Sequence, residues 1–348
     1  MDESAKSWQV LQERCLAAPG CVRQMPMEEL KRIAPLLEAA SATVVTGLGA
    51  SEGPARLLAS GLSVRDGHPA RFIPLSGLIA GDHEEWTTGN AAAVLVVFSQ
   101  ALSPNARIAL EIGREFSSTI LVCGSDVVVD DAIRTAPDMN LFVIHHPPEN
   151  ESGFLLRVTG PAVASAIALG LAALATGEDT PVGIEDQWRQ CAEAMELRLH
   201  TRPPTMNLLA QPPAFLVYGT DGVERNFLLR WTLLECFDNY DPPTWDMMSF
   251  AHGAFQNTFN NPRTLILLRS LEDRVVKPLV DRVRDMLSQT PHSLIDVSSE
   301  LPRPWCTMEH LAAVQSFMLE HLRQNPRDLA NWPGRGLDGA IYMLDQIP

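Results

Sequence analysis

Val44-Val45-Thr46-Gly47-Leu48-Gly49-Ala50-Ser51-Glu52-Gly53 is the stretch on which the reading of this chain turns. A short β-branched run enters a glycine-rich turn, and Ala55-Arg56-Leu57-Leu58-Ala59 begins a helical pattern behind it. Glycines let a backbone turn tightly and approach a ligand, while the helix behind offers free N–H groups to an anion. The arrangement recurs at Ala93-Val94-Leu95-Val96-Val97-Phe98, which leads through Ser99-Gln100-Ala101-Leu102-Ser103-Pro104 into an Ala/Leu/Ile helix. Two polar turns after two buried strands point to a ligand site at the strand ends of a parallel sheet.

Working outward, residues 1–40 read as helical, with Trp8, Leu11, Cys15 and Leu16 at helical spacing. Short apolar runs near 43–46, 71–75, 93–98, 119–123 and 141–145 alternate with helical segments near 52–61, 104–116 and 126–135. Near-continuous apolarity marks strands covered on both faces, and the alternation implies a parallel, doubly wound sheet. After a linking helix over 187–199, the pattern starts again at Ala214-Phe215-Leu216-Val217-Tyr218, about 170 residues later. Further strands fit 264–268 and 293–297, with helices over 223–239, 273–288 and 308–324. The expected fold is α/β, with two tandem doubly wound parallel-sheet (flavodoxin-like) domains. Residues 1–185 would hold the helical N-terminal segment and the first domain. Residues 186–348 would hold the linking helix, the second domain and the tail.

The net charge of −15 argues against nucleic acid or an anionic membrane as partner, since both require basic surface. Pro161 to Ala175, the longest apolar stretch, is interrupted by Gly170 and reads as short for a membrane span. No basic region followed by an apolar run opens the chain, so a cytoplasmic protein without a signal peptide is expected. Six scattered cysteines with no C-x-x-C pair read as reduced core thiols. His145-His146 lack a third ligand at metal spacing, and no metal or other cofactor is expected.

Gly47 to Gly53 is one residue longer than a dinucleotide fingerprint, and Leu75-Ser76 provides no acid for a ribose. Ser51, Ser99, Gln100 and Ser103 carry hydroxyl and amide groups suited to a phosphate or sugar hydroxyls. The same residue types also serve as turn and helix-cap residues, and Ser103-Pro104 fits a cap. Glu235 falls on or beside the apolar stripe Phe227, Leu228, Trp231 and Leu234, where partial desolvation would favour a general base. A boundary residue facing solvent has the same periodicity. His252, beside Gly253, is a candidate acid–base group or a structural histidine.

Together these features resemble the two-domain sugar isomerase (SIS) family over about 35 to 345. Gly49-Ala50-Ser51 is similar to the family's first ligand loop, and Ser99-Gln100 with Ser103-Pro104 to its phosphate loop. Ala101-Leu102 stand where the family has Ser-Gly-Glu. Glu235 matches the catalytic glutamate, and His252-Gly253-Ala254 matches a motif whose histidine assists ring opening, often in a neighbouring subunit's site. Ser249 replaces that motif's glutamate, and Gly339 stands where a Schiff-base lysine would fall. The resemblance implies an isomerase or deglycase of phosphosugars or amino-sugar phosphates, working as a homodimer through Glu235 and His252. The deglycase branch, which works without the lysine, fits best. The alternative it leaves is a catalytically silent sugar-phosphate-binding or regulatory protein.

Overall fold

The computed structural model describes residues 3–64, 68–88, 92–124, 139–149, 156–177, 182–204, 211–235, 241–332, 334–337 and 339–342. It divides into two compact units, Gly20–Arg189 with Leu329–Pro348, and Met1–Pro19 with Gln190–Asp328. The two ends of the chain are therefore exchanged between the halves rather than kept with the nearer one. Trp8 shows why at the N-terminus. Its indole Nε1 donates to the Leu319 carbonyl at 3.0 Å, and Leu11 and Cys15 beyond it are fully buried. The apolar face of the first helix, α1 (Glu3–Arg23), thus finds its cover far along the sequence.

The unit Gly20–Arg189 holds a five-stranded sheet built from β1 (Ala42–Gly47), β2 (Ala70–Phe72), β3 (Ala93–Phe98), β4 (Ser118–Gly124) and β5 (Leu141–His146). Its order is β2-β1-β3-β4-β5 and every pairing is parallel. Each residue of β1, β3 and β4 is buried, as strands covered on both faces must be. One face packs Val44, Leu95, Val97 and Leu121 against Ile108 and Ile112 of α4 (Pro104–Ile112). The other layer contains α2 (Met27–Ala39), α3 (Glu52–Ser63) and α5 (Thr159–Thr176), with α2 and α3 packed on α5.

Two elements depart from the sequence reading. The second strand covers only Ala70–Phe72; Pro74 then starts a short helix, Leu75–Ile79, which places Leu75 and Leu78 in the core. A strand on the edge of the sheet has one neighbour, β1, and needs no longer apolar run. α5 spans 18 residues with mean hydropathy 1.6, so by length and composition it is sufficient to cross a membrane. It is 89% buried within the protein, and Trp188 Nε1 donates to its Ala166 carbonyl. It is a core helix. The helix expected over 126–135 lies outside the described residues.

The other unit has four parallel strands, β6 (Pro213–Val217), β7 (Thr244–Asp246), β8 (Thr264–Ser270) and β9 (Ser293–Ser299), in the order β7-β6-β8-β9. Its helices are the later part of α6 (Ile184–His200), α7 (Thr220–Leu234), α8 (Val276–Leu287) and α9 (Cys306–Gln324). A polar network fastens α6 to α9 and β9. Arg198 Nε donates to Glu309 Oε1 at 2.6 Å and its Nη2 to the Ser298 carbonyl, while the Ser299 hydroxyl donates to Glu309 Oε2 at 2.7 Å. β7 has no counterpart in the sequence reading. Three residues with one apolar side chain, Trp245, carry no usable period.

Candidate functional site

In the five-stranded sheet the strand order reverses between β1 and β3, which makes the gap beyond their C-terminal ends the topological switch point. Both polar turns lie there. Gly47 pairs with Phe98 at the last rung of the β1–β3 ladder, so the segments that follow start side by side. Gly49, Ala50 and Ser51 make one turn of 3-10 helix, with Gly49 at φ 55°, and lead directly into α3. Ser51 is buried, and its N–H donates to the Leu48 carbonyl at 3.0 Å.

This turn depends on Gly47. A Cβ at that position would fall 2.8 Å from the backbone carbon of Ser51 and closer still to its carbonyl oxygen. Gly47→Ala therefore forces the turn carrying Ser51 away from the strand, and backbone yields less readily than a flexible side chain. We expect a loss of about 2 kcal/mol in stability, read by urea unfolding. An unchanged midpoint would mean that the turn is softer than its geometry indicates.

The second turn is anchored along its backbone. The Ser99 N–H donates to the Val122 carbonyl and the Gly124 N–H to the Gln100 carbonyl, both at 3.0 Å, which carries the β3–β4 ladder past the strand. Ser103 is the N-cap of α4, its hydroxyl oxygen accepting from the Ala106 N–H at 3.3 Å, with Pro104 at the first helical position. The cap reading of Ser103 thus holds in the structure, and its O–H remains chemically able to donate. Leu102, at φ 48°, has a left-handed backbone that a leucine rarely adopts, and its side chain is 4% exposed in the core. Burial of the side chain offsets the backbone strain. Arg56, one turn into α3, pairs with Glu52 at 2.9 Å and lies over the Phe72 ring.

Glu235 and His252 belong to the other unit. Glu235 follows directly on α7; it is half-buried, with Oε2 shielded from water. α7 starts where β6 ends and runs back along the sheet for about 22 Å at 1.5 Å per residue, which carries Glu235 toward the edge where the parallel strand β7 begins. His252 comes after the far end of β7. There Asp246 accepts from the N–H groups of Met248 and Ser249, and Phe250–Ala254 form a π-helical turn broken at Gly253 (φ 154°). Phe250 is buried between Trp245 and Phe255, with ring centroids 5.5 and 5.8 Å away, and His252 is exposed. The topology therefore places Glu235 and His252 toward opposite strand ends of one sheet, both beside its edge strand β7.

Sequence reasoning missed Glu149. Its carboxylate, 8% exposed, accepts from the N–H groups of Val158 and Gly160 at 2.9–3.0 Å and so occupies the N-terminus of α5. A single acid after Pro147-Pro148 has no local signal, because its partners come nine to eleven residues later.

No protein-family model and no curated protein matches the chain. Solved structures do match in fold. The tagatose-6-phosphate ketose/aldose isomerase from Escherichia coli superposes with a TM-score of 0.69 at 15% identity, over 95% of this chain and 97% of that one. Glucosamine-6-phosphate deaminase from Thermotoga maritima gives 0.63 at 11% identity, over 94% and 98%. The C-terminal domain of glucosamine-fructose-6-phosphate aminotransferase from Francisella tularensis gives 0.60 at 11%, over 90% and 96%. The chain has the two-domain SIS fold across most of its length.

Proposed function

We propose that this protein is an aldose–ketose isomerase or deglycase of a phosphosugar or amino-sugar phosphate. The observation that carries the reading is the placement of both polar turns, Gly49–Ser51 and Ser99–Ser103, at the switch point between β1 and β3. The similarity in fold to sugar-phosphate isomerases and deaminases supports it. Gly49 and Ala50 bring backbone close to the ligand, and the hydroxyls of Ser51, Ser99 and Ser103, with Gln100, hold its anionic end. Glu235 takes the proton from the carbon beside the carbonyl and returns it to the neighbouring carbon through an enediol or enaminol. With a hydroxyl neighbour, the carbonyl and the hydroxyl exchange places; with an amine neighbour, the carbonyl becomes a hydroxyl and the amine an imine, which water hydrolyses to a carbonyl and the free amine. Neither course changes the net oxidation level, so no redox cofactor is needed. His252 helps to open the ring. Because it lies toward the opposite strand ends from Glu235, it serves the site of a second copy, and the protein works as a cytoplasmic homodimer without nucleic-acid or membrane partners.

A second reading, a sugar-phosphate-binding protein without turnover, draws on Ala101 and Leu102 in the second turn and Gly339 in the tail. One screen tests both. Thermal unfolding in the presence of sugar phosphates and glycated amino acids should show a rise for at least one class, worth about 2.7 kcal/mol at a hundred times Kd. Proton NMR of that mixture then shows conversion for the enzyme and unchanged ligand for the binder. If no sugar derivative raised the transition, both would fail.

A further inference from the structure

Gln100 is placed in an unexpected way for a ligand contact. Its backbone is held by the Gly124 N–H, so only the side chain is free to move. That side chain turns inward and lies against the first turn of α5. A Cβ on Gly160 would come 2.7 Å from the Gln100 Cδ, so the amide occupies space that exists because residue 160 has no side chain. Both amide atoms, Oε1 and Nε2, are closed off from water and have no hydrogen-bond partner among the described residues. Two N–H groups at the start of α5 are already engaged, since Glu149 accepts from those of Val158 and Gly160. A buried amide with both ends unmade is a costly resting state.

We propose that Gln100 is a two-position ligand contact, parked against Gly160 when the site is empty and swung out to a bound sugar. Gly160 is then the residue that makes the parked position possible, and Glu149 the one that keeps it weakly held. The inference rests on reading the two turns as a sugar cradle. It adds the chemistry of the contact: an amide offers one donor and one acceptor side by side. At the anionic end it therefore matches a phosphate oxygen and the sugar hydroxyl beside it, Nε2 donating to the first and Oε1 accepting from the second. Bonds that neither amide atom makes among the described residues are then gained on binding.

The experiment is a coupling measurement with D-fructose 6-phosphate and, separately, D-fructosamine 6-phosphate as probes, using isothermal titration of the full chain. Gly160→Ala fills the parking place, pushes the flexible amide out, and should strengthen helix formation in α5. It is expected to bind a probe about threefold to tenfold more tightly, because the contact is preorganised. Gln100→Ala is expected to bind about tenfold more weakly. In the Gln100→Ala background, Gly160→Ala should have no effect. Equal weakening by the two single variants, or additive effects in the double one, would overturn the switch. So would full binding by Gln100→Ala. Binding of neither probe to the unaltered chain would remove the sugar cradle and the switch together, whereas binding with uncoupled variants removes the switch alone.

Discussion

Glu235→Gln is expected to lower kcat by about a hundredfold to ten-thousandfold while KM changes little. Glutamine keeps the size and the hydrogen-bonding edge of glutamate but cannot take up a proton. If Glu235 moves the proton between adjacent carbons, the loss falls on the chemical step and spares binding. The test is steady-state turnover of the substrate found by the thermal screen, followed by proton exchange from deuterated solvent. Full turnover in the variant, or a loss confined to KM, would show that the base is another group. The half-buried place of Glu235 at the end of α7 makes the substitution tolerable for folding, so the kinetic result can be interpreted.

Acid should destabilise the unit that contains α9 well before it protonates ordinary carboxylates. His321, in the last turn of α9, is 5% exposed, and burial, with Arg327 nearby, pushes its pKa from 6.5 down to about 4. Between those values the unfolded chain binds a proton that the folded chain refuses. Stability is therefore full above pH 6.5 and falls as pH drops toward 4, by roughly 3 kcal/mol at 1.36 kcal/mol per pH unit. Urea unfolding at pH 7, 6, 5 and 4 should show this slope in the natural chain and a flatter one in His321→Asn. Parallel slopes would mean that the ring is hydrated and titrates normally.

The sheet strands were readable because burial on both faces leaves a nearly uninterrupted apolar run. Val94 to Phe98 and Ile120 to Cys123 allow little else. β7 was not readable, being too short to show a period, and β2 was overestimated because Ile73 and Leu75 are buried by a turn and a short helix. The polar turns could be located because glycine, serine and proline punctuate the ends of strong strands. What those side chains do is a different matter. Whether Gln100 points outward or against Gly160 depends on a residue sixty positions away, and the role of Glu149 depends on N–H groups beyond it. The opposed positions of Glu235 and His252 follow from the parallel pairing of β6 and β7, which only the topology reveals.

The exchanged chain ends bear on how the protein is made. A ribosome releases the N-terminal end first, and a tandem protein usually folds its leading domain while the rest is still being synthesised. Here the leading segment, Met1–Pro19, has to wait for Gln190–Asp328, and the unit begun at Gly20 is completed only by Leu329–Pro348. Each unit thus draws part of its residues from beyond the other one in sequence. Cutting the gene near codon 189 would therefore give two incomplete products, not two domains.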